Sequence, residues 1–357
     1  MSSEIVKDIH LLAEAVAHAG QDEQLRAAIF ELLRAAELRS ADPAAFREQV
    51  RWPLILNLLR DVQGHRVELE NGVTFDVTPD SRIEKALLLS SVAHPDHVWE
   101  PQTTKLLIAL AKGATNVIVG GAYIGDQAVL VAKASAATVH AFEPMKHAFA
   151  RLVHHLDVNN VRNAVAHQLA LWDRSSVKLQ LEGHLALASS VPPNSSNGTN
   201  GQLIESLTID DYVSSQALSS VELIMLDLEG GEERALLGAR RSIDLYSPNI
   251  VFEIHRNFVD WTAGLEKTSV VRYLTAQGYD IYAIRDFHNN YPTAGFPIEI
   301  VPIAGVYLEG PPHGFNVLAT RDRNLVGRLG LKLVENVSPK LLLEKDPALH
   351  FPRFAKS

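Results

Sequence analysis

The chain has 357 residues, 46% of them hydrophobic and 21% charged, enough for one large globular domain and a smaller one. Its formal net charge of −9 argues against a nucleic-acid binder, which needs a basic face for phosphates. With no cysteine, disulfides, thiolate metal sites and cysteine nucleophiles are excluded. No apolar run reaches the roughly 18 residues of a membrane helix, and the N-terminus lacks a signal-peptide pattern, so the expectation is a cytoplasmic protein without membrane insertion.

Residues 4 to 63 read as helical. In "DEQLRAAIFELLRAAELRS" the residues Leu25, Ile29, Leu32 and Leu33 recur at spacings of three and four, which places them on one helix face. Asp42 before Pro43 marks a helix start. "HRVELENGVTFDVTPDS" reads as a hairpin about Asn71-Gly72. Residues 1–95 therefore form a helical region plus hairpin, suited to a lid, a substrate cap or a homodimer surface. From residue 96 the texture changes. Strand-like apolar runs at 116–119, 137–142, 164–171, 221–226 and 249–254 alternate with helical segments, the pattern of a parallel sheet with helices on both faces. "PPNSSNGTNGQ" (192–202) reads as a loop, and residues 324–357 as a C-terminal appendage whose apolar residues need a partner surface.

"NVIVGGAYIGDQAVLVAKA" (116–134) is a strand, a glycine turn and a helix. Small residues there let backbone approach a ligand closely. "TVHAFEP" supplies a second strand that ends in Glu143, where a carboxylate can accept both hydroxyls of a ribose. This geometry serves NAD and S-adenosylmethionine alike, and without a ligand the glycines serve helix–strand packing alone.

Further on come "AFEPMKHAFARLVHHLDVNNV", "HQLALWD", "LTIDDYV", "VELIMLDLEGGEERALLGA", "PNIVFEIH" and "FNVLATR". In this order they resemble the FkbM family of S-adenosylmethionine-dependent methyltransferases, over about residues 96 to 322. Members typically carry a DxGAxxG turn, an AFEP strand end, an AL-x-D element, an LDD segment, a D-x-EG-x-E element and an E-x-H strand end. The resemblance implies an α/β fold for residues 96–323, the doubly wound class I methyltransferase (Rossmann-like) sheet, parallel apart from one antiparallel strand near the C-terminus. It also implies S-adenosylmethionine as cofactor, held by Gly121, Ala122, Tyr123, Gly125, Asp126 and Glu143, with Ala170, Leu171 and Asp173 toward the adenine. One position departs from the pattern. The family's usual Asp at the end of the first strand falls on Val119, so the methionine ammonium needs another carboxylate, for which Asp126 and Glu100 are candidates.

Methyl transfer to oxygen requires an aligned acceptor and a group that takes its proton. Candidates stand at strand ends: Asp227 and Glu229 after "LIML", Glu253 and His255 in "IVFEIH". His255 and Asp227 are the expected bases, with Glu253 beside them. Asp227, Glu229 and Glu253 also form a candidate oxygen-rich Mg²⁺ cluster. An acid at the start of "GGEERALLGARR" equally suits helix capping. Asp210 and Asp211 read as turn or cap residues, and His154 and His155 as solvated or packed. The aromatic, His and Asn residues of 255–266 and 285–295 suit a small-molecule or glycoside acceptor, and ordinary loop packing equally. The expected activity is O-methylation of a sugar, glycolipid or natural-product scaffold. The alternatives are an NAD-dependent oxidoreductase and a non-catalytic scaffold.

Overall fold

The computed structural model describes residues 3–62, 64–69, 72–78, 80–88, 98–182, 189–191, 203–288, 293, 295–308, 314–342 and 345–353. They form two compact units, Met1–Val67 with Asp76–Leu89 and Glu68–Phe75 with Ser90–Ser357. Among the described residues no helix is long and apolar enough to cross a membrane.

The first unit is built from helices, chiefly Ser3–Ala19, Glu23–Arg39, Trp52–Leu58 and Arg82–Leu88. Asp22 accepts the Leu25 N–H (2.8 Å) and Asp42 the Ala45 N–H (2.9 Å), so each starts a helix as an N-cap. The predicted apolar face of the second helix is only partly inward. Leu33 is buried, but Leu25 and Leu32, seven residues apart on a neighbouring stripe, are exposed. The strands β1 (His65–Glu68) and β2 (Thr74–Val77) pair as the expected hairpin, with Gly72 at φ +73°. Asn71 lies outside the described residues, as does the whole 192–202 loop.

The second unit carries a nine-stranded sheet. Its first strands are β3 (Asn116–Gly120), β4 (Thr138–Phe142) and β5 (Ala164–His167). A small four-stranded sheet follows, from β6 (Ala170–Leu171), β7 (Lys178–Glu182), β8 (Ser189–Val191) and β9 (Leu203–Leu207). The chain then returns with β10 (Leu223–Leu226), β11 (Asn249–Ile254), β12 (Asp280–Ile284), β13 (Glu299–Pro302), β14 (Phe315–Thr320) and β15 (Lys332–Leu333). The 164–171 run is thus two strands in two sheets rather than one. The order across the large sheet is β15-β13-β12-β14-β11-β10-β3-β4-β5. From β5 to β11 all neighbours are parallel, and β14 runs antiparallel between β11 and β12. That arrangement is the class I methyltransferase sheet. It departs from the expected single reversed strand, because β13 is also antiparallel to β12, and β15 pairs parallel with β13.

Strand alternation assigns the faces. Ile118, Ile224, Leu226, Ile250, Phe252, Phe315, Val317 and Ala319 belong to one core with residues of the helices Ile209–Ser215, Glu232–Leu237, Arg240–Tyr246 and Ser269–Ala276. Val119, Met225, Val251, Glu253, Asn316 and Leu318 therefore face the opposite side, where the helix Pro101–Ala111 packs on β10. A directed hydrogen-bond chain links three strands beneath the first face. Asn116 donates its amide to Ser220 O, so its Oδ1 accepts from His140 Nε2 (3.1 Å). His140 Nδ1 must then accept the Tyr212 hydroxyl (2.7 Å), whose oxygen accepts from His167 Nε2 (2.8 Å).

The C-terminal segment is tied to the large sheet through the end of β12. Arg285, fully buried at the end of β12, pairs with Glu299 and donates to the carbonyls of Ser338 (2.9 Å), Leu349 (2.9 Å) and Phe351 (3.2 Å). Its neighbour Asp286 accepts the Gln102 and Thr103 N–H groups at 3.0 and 2.6 Å, capping the helix Pro101–Ala111 from a distant strand. Removing one partner of a buried ion pair leaves the other charge uncompensated. Arg285→Met is therefore expected to destabilise the chain by about 3–5 kcal/mol in chemical denaturation, far beyond a surface Arg→Met change.

Candidate active site

In an open parallel sheet, ligands bind beyond the carboxyl ends of the strands at the point where strand order reverses. Here that point lies between β3 and β10. Beyond β3, Gly121 (φ +74°) and Gly125 (φ +89°) shape the turn. A Cβ on Gly121 would stand 1.7 Å from the Asp227 carbonyl oxygen, so the turn can lie against the end of β10 only without a side chain. Ala122 and Tyr123 are buried, and Asp126 is half-buried in the same turn. His155, fully buried, donates from Nδ1 to the Ile124 carbonyl (2.7 Å) and so fixes the turn from below.

Glu143, at the end of β4, accepts the Tyr123 N–H and the Met145 N–H, each at 2.8 Å. Both carboxylate oxygens keep further lone pairs, and burial raises its pKa to about 7 against the two amides. Ala170 and Leu171 are buried in β6, with the Leu171 side chain against Gly120. Asp173 has one oxygen on Arg234 Nη1 (2.7 Å) and the other 3.6 Å from Arg174 Nε.

Three strand-end acids converge. Oxygens of Asp227, Glu229 and Glu253 lie within 4.8 Å of one another. Glu100, buried just before the helix Pro101–Ala111, accepts the Asn316 amide at 2.5 Å. Desolvation raises every one of these groups, and neighbouring acids raise Glu229, Glu253 and Glu100 further. Asp227 rises to about 6, chiefly through burial; Glu229 rises to about 8 through burial and then the charges of Asp227 and Glu232. Glu253 and Glu100 are pushed well above the carboxylate range, by burial first and by their acidic neighbours second. Three non-glycine residues here hold left-handed backbone, Glu100 (φ 48°), Tyr123 (φ 46°) and Glu229 (φ 49°), at about 1–3 kcal/mol each.

His255 stands apart from its expected role. Its Nδ1 accepts the Asn257 N–H (3.2 Å), which puts the proton of the neutral ring on Nε2. In that tautomer the ring offers a donor rather than a base. Gly314 sits between Glu253 and His255, since a Cβ there would be 1.8 Å from Glu253 Oε1 and 2.8 Å from His255 Cδ2.

Several functional residues were not singled out in the sequence. Glu232, the last acid of the D-x-EG-x-E element, accepts the Leu228 (2.7 Å) and Gly230 (3.1 Å) N–H groups and locks the turn that carries Asp227 and Glu229. Its own motif was the available signal. Asn316 lies inside "FNVLATR", but its pairing opposite Glu253 emerges only from the sheet register. His288 and Lys340 reach Glu100 as a relay: Lys340 Nζ is 3.4 Å from His288 Nδ1, and His288 Nε2 is 3.5 Å from Glu100 Oε1. Asp210 accepts the Arg241 and Ser242 N–H groups and so caps the helix Arg240–Tyr246, a structural role.

Residues 120–281 match the profile of the methyltransferase FkbM domain, and that span is a methyltransferase FkbM domain. Among solved structures it is similar to methyltransferase FkbM from Methylobacillus flagellatus KT, at 16% identity and a TM-score of 0.38, covering 82% of this chain and 58% of that one. It is also similar to an rRNA methylase from Streptococcus thermophilus (12% identity, TM-score 0.36, 61% of this chain and 93% of that one). A third is the Pyrococcus abyssi tRNA (uracil-54, C5)-methyltransferase in complex with S-adenosyl-L-homocysteine (13% identity, TM-score 0.37, 72% and 44%). No curated protein matches the chain. The FkbM domain match makes the enzyme class an S-adenosylmethionine-dependent methyltransferase, not the alternative oxidoreductase.

The folded chain holds the Glu229 proton up to about pH 8, whereas the ordinary carboxyl releases it at 4.5. Ionising Glu229 therefore costs the fold stability as pH rises through that window, and nothing below it. Glu229→Gln is expected to raise Tm at about pH 8.5 and to leave it unchanged near pH 4, as read by scanning calorimetry.

Proposed function

We propose that this methyltransferase transfers the methyl group of S-adenosylmethionine to a hydroxyl oxygen of a small molecule, of the sugar, glycolipid or natural-product kind. The observation that carries the reading is the convergence of Asp227, Glu229 and Glu253 at the mouth of the glycine turn, their oxygens within 4.8 Å of one another. When bound, the cofactor supplies a methyl group already activated on sulfur. The residues suit that guest: Gly121 and Gly125 bring backbone close, Glu143 offers free lone pairs to ribose hydroxyls, and the acids receive its positive charge. Ala170, Leu171 and Asp173 stand for the adenine end.

The protein's own part is to orient the acceptor and take its proton. Asp227 is the base, with Glu253 beside it. As the acceptor hydroxyl takes up the methyl group that the bound cofactor would supply, Asp227 would receive the hydroxyl proton on a carboxylate oxygen. A carboxylate raised to about 6 by burial is a stronger base than a solvated one. His255, donating from Nε2, is placed to orient the acceptor rather than to deprotonate it.

Calorimetric titration with S-adenosylhomocysteine is expected to show binding that Glu143→Ala weakens by about tenfold or more, since it removes charge-assisted hydrogen bonds. With an acceptor in hand, Asp227→Asn is expected to lower kcat by about 10²–10⁴-fold with little change in cofactor affinity. The wild-type rate should rise with pH through the range of about 6 to 8. An Asp227→Asn enzyme of unchanged kcat would remove Asp227 as the base.

The same trio favours a second reading, in which Mg²⁺ sits among these oxygen ligands and binds the acceptor oxygen. Activity lost on dialysis against EDTA and restored by Mg²⁺ would support it. Activity indifferent to EDTA would leave the carboxylates as proton acceptors alone.

A further inference from the structure

The family's usual acid at the end of the first strand is Val119 in this chain, and Val119 is buried in β3. Its face of the sheet is the one shared by Met225, Glu253 and Asn316. Glu100 comes to that same face from the start of the helix Pro101–Ala111 and is held there from three directions. Asn316 donates to its Oε2, His288 Nε2 lies 3.5 Å from its Oε1, and Asp286 caps the helix that follows it. Asp227 is close enough for its charge to act on Glu100.

Two buried oxygens in this neighbourhood have no hydrogen-bond partner, Asn316 Oδ1 and Glu253 Oε2. Asn316 is only 3% exposed, and the two residues are directly paired across β11 and β14. Asn316 Oδ1 is an acceptor, and Glu253 Oε2 becomes one when a neighbouring positive charge ionises its carboxyl. What completes them must bring N–H or O–H donors, and beside Glu100, Asp227 and Glu253 it must bring positive charge. An ammonium group does both, with three donors on one centre. Buried acceptors and acids of this kind would repel the carboxylate of an amino acid, so the arrangement selects the amine end.

We propose that Glu100, with Asn316 beside it, anchors the α-ammonium of the cofactor's methionine, taking over the task that position 119 has lost. The inference rests on the cofactor reading given above. The task has moved from strand to helix start without leaving the sheet face. Its Asn316 partner comes from β14, and its His288–Lys340 relay from the segments after β12 and β15.

The test compares two probes, S-adenosylhomocysteine, which carries the amino-acid end, and 5′-methylthioadenosine, which lacks it. Both are titrated by calorimetry into the full chain. Glu100→Gln keeps the shape and the acceptor oxygen but removes the charge. It is expected to weaken S-adenosylhomocysteine at least tenfold and to change 5′-methylthioadenosine less than twofold, the second probe also reporting that the variant is folded. Val119→Asp in the Glu100→Gln background is expected to restore S-adenosylhomocysteine to within about threefold of the wild type. Equal weakening of both probes would show a merely structural Glu100 and overturn the assignment. So would a Glu100→Gln chain that binds S-adenosylhomocysteine as the wild type does. Wild-type protein that binds neither probe would instead overturn the cofactor reading, and this assignment with it.

Discussion

The site depends on one costly arrangement: carboxylates gathered at a single edge of a sheet and partly withdrawn from water. Burial raises the proton affinity of Glu100, Asp227, Glu229, Glu232 and Glu253, and the charge of Asp227 raises the other four further. Such a cluster opposes folding, because every ionised member pays for both desolvation and repulsion. The surrounding structure holds it regardless. Glu232 takes two turn amides, Glu143 takes two more, and Asn316 donates to Glu100. The left-handed backbone at Glu100 and Glu229 belongs to the same pattern, since strain persists only where neighbours over-determine it. A cationic cofactor relieves the repulsion when it binds, so the energy held in the cluster works toward ligand affinity.

The second dependency runs through two consecutive residues. Arg285 gathers the carbonyls of Ser338, Leu349 and Phe351, while Asp286 caps the helix Pro101–Ala111. One strand end thus fastens the C-terminal segment to the sheet and sets the start of the helix that presents Glu100. Lys340 belongs to that same segment and reaches Glu100 through His288. The last residues of the chain are therefore part of how the site is charged, although they lie beyond the methyltransferase domain profile.

Much of this was legible in the sequence because it is written locally. Buried parallel strands read as short apolar runs, and the glycine turn between β3 and its helix reads from Gly121 and Gly125. The strand-end acids Glu143, Asp227, Glu229 and Glu253 stand where alternating α/β patterns end. The caps at Asp22 and Asp42 rest on a hydrogen bond to a residue three positions on. What could not be read is non-local. The break of the 164–171 run into β5 and β6 is decided by which sheet each half joins, and both halves are apolar. Leu25 and Leu32 satisfy a helical spacing, yet one helix can turn only one stripe inward. Asn316, Gly314, His288 and Lys340 gain meaning only from register and from contacts across 50 or more positions. The Asn257 N–H on His255 Nδ1 comes from a turn that the strand pattern does not reveal.

Val119 shows how a motif can lose a residue while the site keeps its chemistry. A sequence pattern records which position usually carries a charge, whereas a ligand responds only to where that charge ends up in space. On this sheet face, β3, β10, β11 and β14 each bring one side chain to the edge, and the helix Pro101–Ala111 brings Glu100. In the first strand the position holds Val119, which is buried. The charge requirement passes to whichever neighbour can be desolvated and hydrogen-bonded on the same face. Glu100 meets both conditions, and the unpartnered oxygens of Asn316 and Glu253 mark the side from which a donor must come.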